Sequence, residues 1–179
     1  MQGTVDYGIW YKPTPYSRLI EFTDSDWAGS VDDMKSTSGY EFPLGSGYFS
    51  WASKEQDPAT QSLAEAEYIA VATSTNQTIW LRRILEDMGE RQNDPTEIFC
   101  DNKSAIAMTK NPVHHSKTKH IEIKYHFVRE ATGKGEIELK YCNTKEQAAD
   151  IFPKALPRQR FELLREILGL TQMCIKEEC

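Results

Sequence analysis

The sequence predicts an α/β domain built on a five-stranded mixed sheet with helices on its faces. Three observations predict it. Near the start, 18–24, 37–44 and 48–53 alternate in polarity with period two and are joined by short turns, which makes an antiparallel meander. A long segment at 62–88, rich in Ala, Leu, Ile and Glu, then reads as helix. Beyond it two further short strands alternate with helical segments, the arrangement that returns a chain to the same sheet.

Taken in order, residues 1–17 carry Gly3, Gly8, Pro13 and Pro15 among aromatics and read as an extended connecting segment. In 18–24, Ile20, Phe22 and Asp24 fall on one face and Leu19, Glu21 and Thr23 on the other, so the strand delivers Asp24 to its end. A polar turn at 29–33 leads into the second strand, and Gly45-Ser46-Gly47 is a tight connection into the third. Ser62 to Met88 is one long helix or two end to end, closed by Gly89, with the polar run Thr73–Thr78 as the place for a bend. Residues 97–100 form a strand ending at Asp101, and Asn102–Lys110 a helix with Asp101 or Asn102 as N-cap. A helix over 121–132 and a strand over 136–142 follow. Thr144-x-x-Gln147 matches a capping box and predicts a helix start, which Pro153 and Pro157 then break. Phe161, Leu164, Ile167 and Leu168 form the apolar face of a last helix stopped near Gly169. The domain proper is 18–156, with 1–17 a remnant connecting segment and 157–179 a C-terminal helix and tail.

At 179 residues with 39% apolar, the chain can close a real core. Its net charge of −6 argues against holding nucleic acid or an anionic membrane by bulk charge alone. No run approaches the ~20 apolar residues of a membrane span, and Met1–Tyr16 lacks the basic start and apolar stretch of a signal peptide. An intracellular setting is expected. Four cysteines, none in a CxxC pair, read as reduced thiols: Cys100 and Cys142 in strands, Cys174 and Cys179 in the tail.

The chemistry lies in the carboxylates. Asp24 and Asp101 both terminate strands, and if those strands are parallel neighbours the two acids sit side by side at the carboxyl ends, where such sheets place their crevice. On the long helix, Glu67 shares a face with Leu63, Ala70 and Val71, while Glu65 is rotated ~200° from Leu63. A carboxylate on the apolar face needs a partner. Asp150 lies comparably among Ala148, Ala149, Ile151 and Phe152. Read singly, each has a plainer role: Asp24 in an Asx-turn, Asp101 as an N-cap, Glu67 and Asp150 as exposed helix residues. Together they make a hard-oxygen site for a pair of Mg²⁺ ions ~3.5–4 Å apart acting on a phosphodiester.

At these residues the sequence resembles a known family. Phe22-Thr-Asp24-Ser-Asp-Trp-Ala-Gly29, Lys35-Ser-Thr-Ser-Gly-Tyr40, Ala64-Glu-Ala-Glu67-Tyr, Phe99-Cys-Asp101-Asn-Lys-Ser-Ala, Thr118-Lys-His120-Ile and Gln147-Ala-Ala-Asp150-Ile-Phe occur in the order found in the ribonuclease H domain of copia-type LTR retrotransposon Pol polyproteins, those of plants in particular. The resemblance implies an RNase H-like fold and cleavage of the RNA strand of RNA–DNA hybrids with two divalent ions, Mg²⁺ or in its place Mn²⁺. It also implies linkage to a reverse transcriptase polymerase domain, no membrane, and a cytoplasmic, virus-like-particle or nuclear location. Carried over by motif, the metal-binding acids are Asp24, Glu67, Asp101 and Asp150, with Asp26 and Glu65 as rivals.

The segment 103–134 holds Lys103, Lys110, Lys117, Lys119, Lys124, Arg129 and Lys134 against Glu122 and Glu130, a candidate for phosphate contacts whose plainer reading is a solvated helix face. Ser62 and Asn102, small polar groups beside the acids, are candidate readers of the RNA 2′-hydroxyls. The four histidines, His114, His115, His120 and His126, fit no zinc spacing. By the resemblance His120 assists proton transfer or product release, although in cellular relatives the corresponding histidine follows the last strand. Pro153, Pro58, Leu63 and Glu41 depart from the family pattern. Three functions are therefore weighed: an active hybrid-cleaving ribonuclease H, a catalytically weak relic that keeps the fold and binds nucleic acid, and another two-metal nuclease or integrase core. Integrases place their glutamate last, whereas here it is second.

Overall fold

Strands β2 (Ile20–Asp26), β3 (Thr37–Leu44) and β4 (Gly47–Glu55) form the predicted antiparallel meander, preceded by a short strand β1 (Tyr7–Ile9). These assignments come from a computed structural model describing residues 6–14, 18–57, 60–110 and 119–172. Pro43, which has no N–H to give the β3–β4 ladder, sits at a register shift next to Phe42. Helix α1 (Leu63–Asp87) carries the chain back to β5 (Thr96–Cys100), which pairs parallel with β2. Helices α2 (Lys103–Lys110) and α3 (Lys119–Gly133) then lead to β6 (Ile137–Tyr141), parallel to β5. The sheet order is β4-β3-β2-β5-β6, five strands and mixed as predicted.

Helix α1 runs unbroken through Thr73–Thr78 as one helix, not two end to end. The polar side chains there turn back onto the helix's own carbonyls: Thr73 Oγ1 donates to Ile69 O (2.9 Å), Thr75 Oγ1 to Val71 O (2.7 Å) and Thr78 Oγ1 to Ser74 O (3.1 Å). Ser74 Oγ likewise donates to Val71 O (3.0 Å), and bonded in this way Ser74, Thr75 and Thr78 can be buried. Around the helix lie two apolar clusters. Tyr68, Val71 and Ala72 pack with Ile98, Val128, Ala131 and Ile137, and Leu81 and Leu85 pack with Leu19 and Phe42. On the opposite side of the sheet Phe22 and Phe99 stack with centroids 5.0 Å apart.

The region after β6 differs from the expected capping box. Asn143, not Thr144, caps the turn by accepting from Lys145 N, and Gln147 ends it. Two short 3₁₀ turns, Thr144–Glu146 and Ala148–Ile151, replace an α-helix. The reason is where Gln147 goes. Fully buried, it donates through Nε2 to Thr23 O (2.9 Å) and accepts from Ala149 N, stitching the turns to β2. Pro153 therefore breaks no helix: it closes a turn in which Lys154 N donates to Asp150 O (3.2 Å). The ring packs where a Cβ on Gly39 would lie 2.5 Å from its Cδ, so β3 needs glycine there. Gln147→Leu strips the Thr23 carbonyl and the Ala149 N–H of this buried partner and should destabilise the protein by about 2 kcal/mol. A lower urea midpoint at unchanged slope is the expected readout, and an unmoved midpoint would contradict it.

Helix α4 (Arg158–Ile167) buries Leu164, with Leu168 just beyond it, but Phe161 and Ile167 of the expected apolar face are more than two-fifths exposed. After Gly169 (φ +73) the chain forms β7 (Leu170–Gln172), which pairs antiparallel with β1. Arg165 stacks over Tyr7 at 4.7 Å and fastens the same junction. Among the described residues, no helix is long and apolar enough to cross a membrane.

Candidate active site

Parallel pairing of β2 with β5 sets Asp24 and Asp101 near the same end of adjacent strands. Asp101 directly follows β5. Asp24 lies two residues short of the end of β2, because Ser25 and Asp26 remain paired with β3. Glu67 reaches the same point from the first turns of α1. The start of that helix is fixed by a capping signature not singled out above, Ser62-x-x-Glu65: Ser62 Oγ accepts from Glu65 N (3.3 Å) and Glu65 Oε2 accepts from Gln61 N (2.8 Å). Glu65 is thus buried as well, contrary to the angular expectation, but it is engaged in closing the helix start.

Ligand atoms of Asp24, Glu67 and Asp101 all lie within 4.8 Å of one another. Asp24 is fully buried and Glu67 only 2% exposed. Burial pushes the Asp24 carboxyl up to about 7; the neighbouring Asp150 and Asp101 add to this rise, and Lys154 works against it. Burial and the neighbouring Asp24 and Asp101 push Glu67 up to about 9. Oδ2 of Asp24 has no hydrogen-bond partner among the described residues. The Cys100 thiol lies 3.9 Å from Glu67 Oε2 and is pushed well above its ordinary range by burial and by that carboxylate, so it faces the acids as a neutral group. Thr144 Oγ1, exposed by loss of the expected capping role, donates to Asp101 Oδ2 (2.7 Å) and orients that side chain.

Asp150 is buried nearby but lies outside the group of three. Two cations hold it. Lys154 Nζ bridges Asp150 Oδ1 and Asp24 Oδ1, both at 2.8 Å, while Arg160 Nη2 lies 3.2 Å from Asp150 Oδ2. Burial opposes the Lys154 charge, but the two carboxylates outweigh it and hold the ammonium above its ordinary range. Neither cation is among the candidates the sequence offers. Lys154 carried a usable signal, its i+4 spacing from Asp150, whereas Arg160 joins through tertiary folding alone.

The remaining candidates take other positions. Ser62 caps α1, and Asn102, not Asp101, caps α2 by accepting from Ala105 N (3.0 Å). Lys103 Nζ lies 4.7 Å over the Tyr141 ring. In the basic segment Lys134 pairs with Glu130 (2.7 Å) and Arg129 bonds Met108 O (3.1 Å), so part of that charge serves the fold. Lys117, His114, His115 and Pro58 lie outside the described residues, as do the side chains of Lys119 and His120, whose backbone belongs to α3. The motifs around Trp27 and Ser36 fasten the loop that follows β2: Ser36 Oγ accepts from Ala28 N (3.1 Å), and Trp27 Nε1 donates to Thr60 O (3.3 Å). Cys100 and Cys142 are free buried thiols, Cys142 one residue past β6.

No protein-family model matches the chain. It is 40% identical over 152 residues to the retrovirus-related Pol polyprotein from transposon TNT 1-94 of Nicotiana tabacum, a match covering 85% of this chain and 11% of that protein. It is 38% identical over 173 residues to the Pol polyprotein from transposon RE1 of Arabidopsis thaliana, covering 97% of this chain and 12% of that one. The chain thus spans about a tenth of the length of the curated relatives it matches. In architecture it is similar to RNase H1 from the archaeon Halobacterium salinarum (TM-score 0.51, 14% identity, 75% of this chain and 93% of that one). The LC11-RNase H1 structure, in complex with an RNA/DNA hybrid, gives the same four values. By homology, then, the chain belongs with a segment of the plant retrotransposon Pol polyproteins, and its fold is that of an RNase H domain.

Proposed function

We propose that the chain hydrolyses the RNA strand of RNA–DNA hybrids internally, as the ribonuclease H part of a retrotransposon reverse transcriptase. The observation that carries this reading is the meeting of Asp24, Glu67 and Asp101 within 4.8 Å, delivered by two strands and a helix and mostly buried. Crowded carboxylates of this kind fit a divalent cation, and the unpartnered Asp24 Oδ2 is a ready oxygen donor. Asp24, Glu67 and Asp101 would hold Mg²⁺ or Mn²⁺, with Asp150 as the fourth ligand for a second ion. Bound there, such ions supply an activated water and neutralise charge on the phosphodiester oxygens.

The chain's own residues do the rest. Thr144 keeps Asp101 oriented, and the neutral Cys100 thiol adds no charge beneath Glu67. Asn102, Ser62, Lys103, Lys117 and Lys119 are the proposed hybrid contacts, and His120 the proton carrier at product release. The polymerase domain that precedes such segments would supply affinity that a chain of net charge −6 lacks.

A second reading, a weak relic that keeps the fold, is favoured by one observation: Lys154 fills the Asp24–Asp150 side of the site. Incubating the chain with a labelled hybrid, with and without Mg²⁺, beside single-stranded RNA, duplex DNA and Asp101→Asn, separates the two. Metal-dependent cutting of the hybrid's RNA strand alone, lost in Asp101→Asn, is expected. No cutting by a folded wild-type chain would select the relic.

A further inference from the structure

The two cations at Asp150 are held very differently. Arg160 donates through Nη1 to Lys145 O (2.7 Å) and through Nη2 to Thr144 O (2.8 Å) and Gln147 O (3.3 Å), so three backbone carbonyls tether it whatever Asp150 does. Among the described residues Lys154 Nζ has two bonds, both to carboxylates, Asp24 and Asp150. Its backbone is anchored independently by the turn to Asp150 O and by Pro153 against Gly39. Its side chain remains 29% exposed, so it can swing outward with no backbone change. The same Asp24 that accepts this ammonium on Oδ1 leaves its buried Oδ2 without a partner among the described residues.

We infer that Lys154 is a resident counter-ion that competes with a divalent cation for the Asp24–Asp150 side of the site and must swing out before that side is loaded. The inference rests on the metal-site reading above and adds an order to it: the Asp24–Glu67–Asp101 side fills without displacing any side chain, whereas the Asp24–Asp150 side fills only by exchange. Lys154 is thus a positioning residue, acting through the two aspartates it holds. In the metal-free protein it offsets their repulsion, and once displaced its ammonium stands at the mouth of the site with its charge uncompensated.

Calorimetric titration of the full chain with Mg²⁺ tests this without any cleavage assay. Lys154→Gln should bind the weaker Mg²⁺ about tenfold or more tightly than wild type, because a competing unit charge is gone. Its melting temperature without metal should fall, and the rise on adding Mg²⁺ should be larger than in wild type. Lys154→Arg keeps the charge and should keep the wild-type affinity. Lys154→Met repeats the test should Lys154→Gln fail to fold. Mg²⁺ affinity unchanged or weakened in the neutral variants, with binding still seen in wild type, would overturn the inference and leave the metal site standing. Absence of Mg²⁺ binding in wild type and variants alike would overturn both.

Discussion

Glu67→Gln should abolish hybrid cleavage, by about a thousandfold or more, and at the same time raise the melting temperature of the metal-free protein. Both effects have one cause. The Glu67 carboxylate is buried and lies beside Asp24 and Asp101, which oppose its charge. The amide keeps its shape and removes the charge that burial and those neighbours resist. Near pH 8 a gain of roughly 2 to 6 °C is expected, and Mg²⁺ should then raise the melting temperature far less than it does in wild type. Full cleavage by Glu67→Gln would remove it from the site; a large loss of stability would mean that its carboxylate serves the fold.

The second large effect is on pH dependence. Burial pushes Glu21 to about 8 and Glu41 to about 9, beside Asp24 at about 7 and Glu67 at about 9. All four are raised above their unfolded values, so the folded protein holds more protons than the unfolded chain between about pH 4 and these values. Stability is therefore fullest below the unfolded range and is lost as pH climbs through 7 to 9. A carboxyl kept protonated only in the folded state weakens folding by about 1.4 kcal/mol per pH unit. The metal-free melting temperature should fall steadily from pH 5 to 9. Mg²⁺ should restore only the share due to Asp24 and Glu67, whereas Glu41→Gln should flatten the profile with or without metal. Neither Glu41 oxygen has a partner among the described residues, which makes that variant the cleanest probe. A flat or rising profile in the wild-type, metal-free protein would contradict the assignment.

The parts legible in the sequence were those in which side-chain period and position agree. Ile20 through Asp24 alternated, Glu67 fell on the same helical face as Ala70 and Val71, and Asp101 followed a short apolar strand, so the meeting of these acids could be anticipated. Gln147 was misread because a capping-box pattern records only local spacing, and the side chain instead satisfies Thr23 on a distant strand. The polar run in α1 leaves one helix or two open in the sequence, because its hydroxyls could cap a break; they bond instead to preceding carbonyls within one helix, and Thr78 also reaches the buried Glu21. Strands β1 and β7 have three residues each, too few for a period to show. Nothing local marks Arg160, and the i+4 spacing of Lys154 from Asp150 becomes a contact only through the turns that carry Asp150.

The pairing of Tyr7 with Gln172 joins segments far apart in the sequence, and this bears on how the protein folds. Closing so long a loop carries an entropic penalty for a three-residue strand to overcome, so this ribbon is expected to form after the sheet has brought its two ends together. During synthesis β1 waits unpaired until Gln172 has left the ribosome. Because β1 and β7, the outermost strands among the described residues, lie side by side, the segment between them can be spliced into a longer polypeptide, or circularly permuted, while its interior is left undisturbed.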